Sequence, residues 1–135
     1  MMRHRRSFIW LTGVMCSLVL AGGAGAQTVV TVPDANLEQA LRAELAKPTG
    51  DILDTDLQGL TSLAMSSLSI ANLTGLEYCA NLVSLDITNN LVLDLGPLAG
   101  LPSLTTPRVD MNPVHDLTPV TTVPNLSEFH AYDCQ

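Results

Sequence analysis

The stretch Leu82 to Ser103, LVSLDITNNLVLDLGPLAGLPS, is decisive because its neighbours on both sides repeat it. Twenty-two positions earlier stands LTSLAMSSLSIANLTGLEYCAN (60–81), and twenty-two later LTTPRVDMNPVHDLTPVTTVPN (104–125), with LSEFHAYDCQ (126–135) opening a fourth copy. The alignment needs no insertion or deletion. Its first column is Leu60, Leu82, Leu104 and Leu126; its fourth holds Leu63, Leu85 and Phe129; its sixth is Met65, Ile87, Val109 and Ala131. Four more apolar columns follow: Ile70/Val92/Val114, Leu73/Leu95/Leu117, Leu76/Leu98/Val120 and Cys79/Leu101/Val123. Internal repetition at such a period is the signature of stacked, quasi-one-dimensional architectures.

The physics of one copy is legible. Spacing such as Leu82–Leu85–Ile87 predicts a short strand with one buried face. Asn90 and Asn112 occupy the column where the chain leaves that strand. An inward amide there bonds backbone groups that have lost their ladder partners, each bond being worth about 1 kcal/mol net. The rest of each copy, rich in Pro, Gly and Asp, predicts an irregular or 3₁₀ return. Stacked copies then place their strands in parallel about 4.8 Å apart, and each buries the apolar columns that its neighbour cannot bury alone.

The pattern L-x-x-L-x-L-x-x-N resembles the leucine-rich repeat. The runs Asn90-x-Val92-x-Asp94-Leu95-Gly96-Pro97-Leu98 and Asn112-x-Val114-x-Asp116-Leu117-Thr118-Pro119-Val120 resemble the 22-residue, internalin-like bacterial class. So do Val32 to Glu38, Asp51-Ile52 with Leu60 to Leu63, and Leu73 to Cys79, so that the likeness runs from about Val32 to the end. It implies an α/β repeat solenoid: a right-handed coil with a parallel sheet on its concave face and a small helical N-terminal cap. The expected organisation is a signal peptide over 1–26, a cap over 27–59 and repeats over 60–135. It also implies protein–protein interaction or adhesion without catalysis.

The cap is readable from its own residues. Asp34 after Pro33 predicts an N-cap, and Leu37, Leu41 and Leu45 form a stripe, with Glu38 four residues before Arg42. Thr55-x-x-Gln58 predicts a capping box on a second short helix. Upstream, the basic MMRHRRS and the apolar Phe8 to Leu20 lead to Ala24-Gly25-Ala26, the order of an export leader with cleavage after Ala26. Arg5-Arg6-Ser7-Phe8-Ile9 resembles a twin-arginine motif without its lysine, so the general and twin-arginine routes both stay open.

Charge narrows the function. Charged residues make up 14% of the chain, against about 25% in ordinary soluble domains. Six basic residues face thirteen acidic ones, and three of the six precede Ser7. Such a surface repels nucleic-acid phosphates and anionic membranes, leaving membrane contact to the leader. Asp51, Asp54 and Asp56 lack the bend glycine and closing glutamate of a calcium loop, and the histidines lack zinc spacing. No cofactor, metal or catalytic constellation is expected. Cys79 in a core column and Cys134 in the asparagine column lie too many copies apart for a disulfide, so both are expected as buried free thiols.

Outward positions of the strands form three rows: Ser62/Ser84/Thr106/Glu128, Ala64/Asp86/Arg108/His130 and Ser66/Thr88/Asp110/Tyr132. A protein partner is therefore expected over Asp86, Arg108, Asp110, Glu128, His130 and Tyr132, the charged and aromatic members; the bland alternative is a solvated strand face. Pro107 in the fourth column removes a ladder donor and predicts a loosened third copy. The break ten residues into the fourth copy predicts a bare strand edge, open to self-association or continued in a longer surface protein. The rival function is a structural spacer, or the N-terminal fragment of a larger surface protein, with no ligand of its own.

Overall fold

The computed structural model describes residues 25–134. The basic and apolar parts of the expected leader lie outside them. Helix α1 spans Ala35–Glu44 and α2 spans Asp54–Gln58, followed by strands β1 (Ser62–Ala64), β2 (Ser84–Asp86) and β3 (Thr106–Arg108). Short 3₁₀ turns at Leu76–Tyr78, Gly96–Leu98 and Thr118–Thr122 return each copy.

The three strands form one parallel sheet in the order β1-β2-β3. Ser62, Leu63 and Ala64 pair with Ser84, Leu85 and Asp86, which pair in turn with Thr106, Pro107 and Arg108. Every pair is separated by the sequence period. The columns consequently converge into one apolar core, in which Leu63, Met65, Ile70, Leu73, Leu76 and Cys79 of the first copy meet their counterparts. The core also includes Leu37 and Leu41 of α1 and Leu57 of α2. Leu117 departs from its column. It is 40% exposed, although Val114, Val120 and Val123 of the same copy are buried. Leu126, Phe129 and Ala131 are likewise only half-buried against the core.

The chain leaves every strand through a left-handed residue in the eighth column: Ser67 (φ 60°), Asn89 (57°), Met111 (53°) and Asp133 (54°). None is glycine, so this turn carries no composition signal that a sequence reading would catch.

At the N-terminal end, Asp34 caps α1 as expected, its Oδ1 accepting the N–H groups of Asn36 (2.9 Å) and Leu37 (3.1 Å). Arg42 pairs with Glu38 at 2.8 Å, and Leu45, last of the stripe, is only half-buried. The expected box on α2 is displaced. Leu53, not Thr55, is the N-cap residue, and Asp56 accepts its N–H at 2.9 Å. The Asp56 carboxylate also takes the Lys47 ammonium at 2.6 Å. An acidic side chain at the third helical position outcompetes the threonine because it serves the N-terminus and a cation together.

Pro107 is buried in β3, which holds full register with β2. Sixth-column N–H groups all donate forward to the next copy: Met65 to Asp86 O (2.7 Å), Ile87 to Arg108 O (2.9 Å) and Val109 to His130 O (2.8 Å). By the two-residue alternation of a strand, the fourth-column N–H points the same way. The donor that Pro107 lacks therefore faces the fourth copy, and pairing there shrinks to the single bridge Arg108–His130. The expected weakness falls one copy later than the proline itself.

Candidate interaction face

The exposed face depends on what holds the strands in line, and that is the asparagine column. Asn90 Nδ2 donates to Met65 O of the preceding copy and to Ile87 O of its own, both at 2.8 Å. Its Oδ1 accepts Leu68 N–H and Ile70 N–H, both at 3.0 Å. Asn112 repeats the arrangement one copy on, donating to Ile87 O (2.8 Å) and Val109 O (2.9 Å) and accepting from Val92 N–H (3.1 Å). These are the two buried polar side chains of the described core. Cys134 occupies the same column, and its Sγ contacts Val109 O at 3.5 Å, in place of the backward amide bond. That Cys134 is half-buried and not fully buried corrects the sequence expectation; Cys79 is buried and both thiols are free. Burial, with Glu77 nearby, pushes the Cys79 thiol up to about 12.

The first copy has Leu68 in this column, 41% exposed. Asn90 reaches back to part of its turn, and Ser69, Ala71 and Asn72 are bound from the N-terminal helix and its cap. Asn36 Nδ2 donates to Ser69 O at 3.1 Å, and Asp34 Oδ2 accepts Ala71 N–H (2.8 Å) and Asn72 N–H (3.0 Å). Desolvation raises the Asp34 pKa, but the four N–H donors of Ala71, Leu37, Asn72 and Asn36 outweigh it and hold the carboxyl below the ordinary carboxylate range. Sequence reading saw only the half of this role that acts on the helix.

The outward rows stand where the register places them. Ala64, Asp86 and Arg108 are successive pairing partners, and Arg108 bridges to His130. Asn89 N–H donates to Asp110 O and Met111 N–H to Tyr132 O (2.9 and 2.8 Å), aligning the seventh-column row. Glu128 N–H meets Thr105 O at 3.0 Å. All six candidate residues thus lie on one face, but not equally free. Asp86 is half-buried and accepts Thr88 N–H at 3.0 Å. Asp110, also half-buried, accepts Tyr132 N–H. Arg108, Glu128 and His130 are exposed, and Tyr132 is 80% exposed. His130 Nε2 lies 3.7 Å from Glu128 Oε2. Arg42 and Lys47 are held in ion pairs; Arg108 makes none among the described residues.

Two of the three acidic residues near α2 have local work: Asp54 accepts Thr28 N–H (3.0 Å) and Thr55 N–H (2.8 Å), and Asp56 is bound as above. Among the described residues no group of three His, Cys, Asp or Glu side chains is arranged to hold a metal ion.

A parallel sheet at a 22-residue period, with a buried asparagine at the turn from its second and third strands, defines a leucine-rich repeat solenoid. Solved structures place it further. The chain is 30% identical to an internalin, InlF, from Listeria monocytogenes, with a TM-score of 0.68 over 72% of this chain and 29% of that one. Internalin C2 of the same organism aligns at 23% identity and a TM-score of 0.69, over 72% of this chain and 44% of that one. The functional domain of Listeria InlJ, which includes a cysteine ladder, aligns at 29% identity and 0.58, over 74% and 23%. No family model matches the chain. The protein is an internalin-like leucine-rich repeat protein, spanning less than half the length of each of these neighbours.

Proposed function

We propose that the chain is an exported, non-catalytic protein-binding module that works in adhesion or recognition at a cell surface or in the medium. Its organisation on this reading is a leader over 1–26, a helical cap over 27–59 and repeats over 60–135, wound as a right-handed coil with the sheet on the concave side. Leu37 and Leu41, packed into the repeat core, support the capping role, since the open end of a stacked array requires a polar-backed cover. The internalin likeness and the basic, then apolar, N-terminus support export.

The partner lies over Asp86, Arg108, Asp110, Glu128, His130 and Tyr132. The observation that carries this is an Arg108 without an ion pair among the described residues, on the same face as a Tyr132 that is 80% exposed. Arg and Tyr are favoured anchors at protein interfaces. The test immobilises the full chain and measures the adhesion of cells and of purified proteins to it. Arg108→Glu and Tyr132→Ala are expected to abolish binding while the far-UV spectrum is unchanged. Adhesion indifferent to both substitutions assigns the module to the rival class, a spacer within a larger surface protein.

A further inference from the structure

The opposite edge of the sheet has chemistry of its own, independent of the rows just described. In β1 the odd residues face the next copy: Val83 N–H donates to Thr61 O (2.8 Å), Met65 N–H to Asp86 O (2.7 Å) and Ser67 N–H to Thr88 O (2.9 Å). By alternation, the N–H and C=O groups of Ser62, Ala64 and Ser66 point the other way. Among the described residues none of the three backbones has a hydrogen-bond partner on that side, because β1 is the terminal strand. Ala64, in the middle of this edge, lines a groove of about 320 Å³ between β1 and α1, together with Ala40, Ala43, Leu68, Gln39 and Glu44. All three residues of the edge are exposed.

We propose that this groove accepts an extended segment of a partner protein, added to β1 as a further strand. The unmet donors and acceptors of a strand edge recognise the backbone of another strand. A strand edge of this kind takes one further strand about 4.8 Å from β1 and offers nothing to a helix, whose backbone groups are already paired within it. The alanines on both walls keep that space open. A second copy of this chain is a poor occupant, since it brings the same acidic excess to the Glu44 side of the groove. The rim carries the Glu44 carboxylate, which has no ion pair among the described residues, and no cation. The chain's acidic excess adds the same sign. The preferred segment is therefore neutral to basic, with small aliphatic side chains turned inward.

The probe is a blocked peptide of alternating valine and threonine between terminal lysines, titrated into the full chain and followed by amide NMR. Shifts are expected at Ser62, Ala64 and Ser66 while Arg108 and His130 stay still. Ala64→Pro deletes a donor that the β1–β2 ladder does not use and is expected to weaken binding about tenfold or more. Ala43→Trp, which fills the groove from the helix and leaves β1 untouched, is expected to do the same. Absence of edge shifts at millimolar peptide, equal affinity in both variants, shifts confined to the charged rows, or edge shifts that track self-association would each overturn the proposal.

Discussion

Asp34 and Ala71 stand 37 positions apart and are joined by a 2.8 Å hydrogen bond from the Ala71 N–H to Oδ2 of the aspartate. The other oxygen of that carboxylate caps α1. One side chain thus fastens the N-terminal helix to the first repeat, doing at that end part of what Asn90 and Asn112 do between successive copies.

Removing it should loosen both ends of the contact. Asp34→Ala is expected to lower unfolding free energy by about 2–3 kcal/mol, more than a simple N-cap loss of about 1 kcal/mol. Chemical denaturation read by circular dichroism checks this. Asp34→Asn, which keeps an acceptor oxygen but loses the charge, should fall between.

The same carboxylate gives stability a pH dependence. Its folded pKa is depressed, so its contribution is complete above the unfolded value of about 4 and is lost as pH falls through the folded one. The midpoint of denaturation is expected to fall in acid more steeply for the parent chain than for Asp34→Asn.

Asn90 satisfies four backbone groups from two copies. Asn90→Leu matches the residue found at this column in the first copy, yet it leaves those groups buried and unpaired. A loss of about 3–5 kcal/mol is expected. A loss below about 1 kcal/mol would show that the column does not hold the copies together.

Met111 sits at φ 53° and is 48% exposed. A side chain without a local polar group is strained there, whereas Asn89 adopts the same conformation in the preceding copy. Met111→Asn is expected to stabilise by about 0.5–1 kcal/mol, read as a rise in Tm.

The thiols should separate kinetically. Cys134 is half-buried and Cys79 buried, its pKa pushed to about 12. A thiol reagent at pH 8 should label Cys134 in the native chain and Cys79 only after denaturant is added.

Much of this architecture is legible in the sequence. The period set the strand register, the columns set the core, and Asp34 announced a helix start, because each is a local or strictly repeated pattern. The rows from Asp86 to Tyr132 followed from that register. What escaped was non-periodic or non-local. The second oxygen of Asp34 reaches a loop that no spacing rule connects to it. The left-handed turn is filled by Ser, Asn, Met and Asp, so no glycine marks it. The β1 groove depends on where α1 lies, and an alanine-rich helix face gives no sign of its neighbour. The cap of α2 went to Leu53 and Asp56 because Lys47 adds an ion pair that the Thr55 pattern could not foretell.

The rows, the asparagine column and the β1 edge all depend on parallel stacking at a constant offset. Interstrand proton contacts by NMR measure it directly. The expected result is a set of contacts linking Leu63 with Leu85 and Leu85 with Pro107, each pair 22 residues apart, as in the parallel register. Contacts at any other offset, or antiparallel ones between these segments, would contradict it.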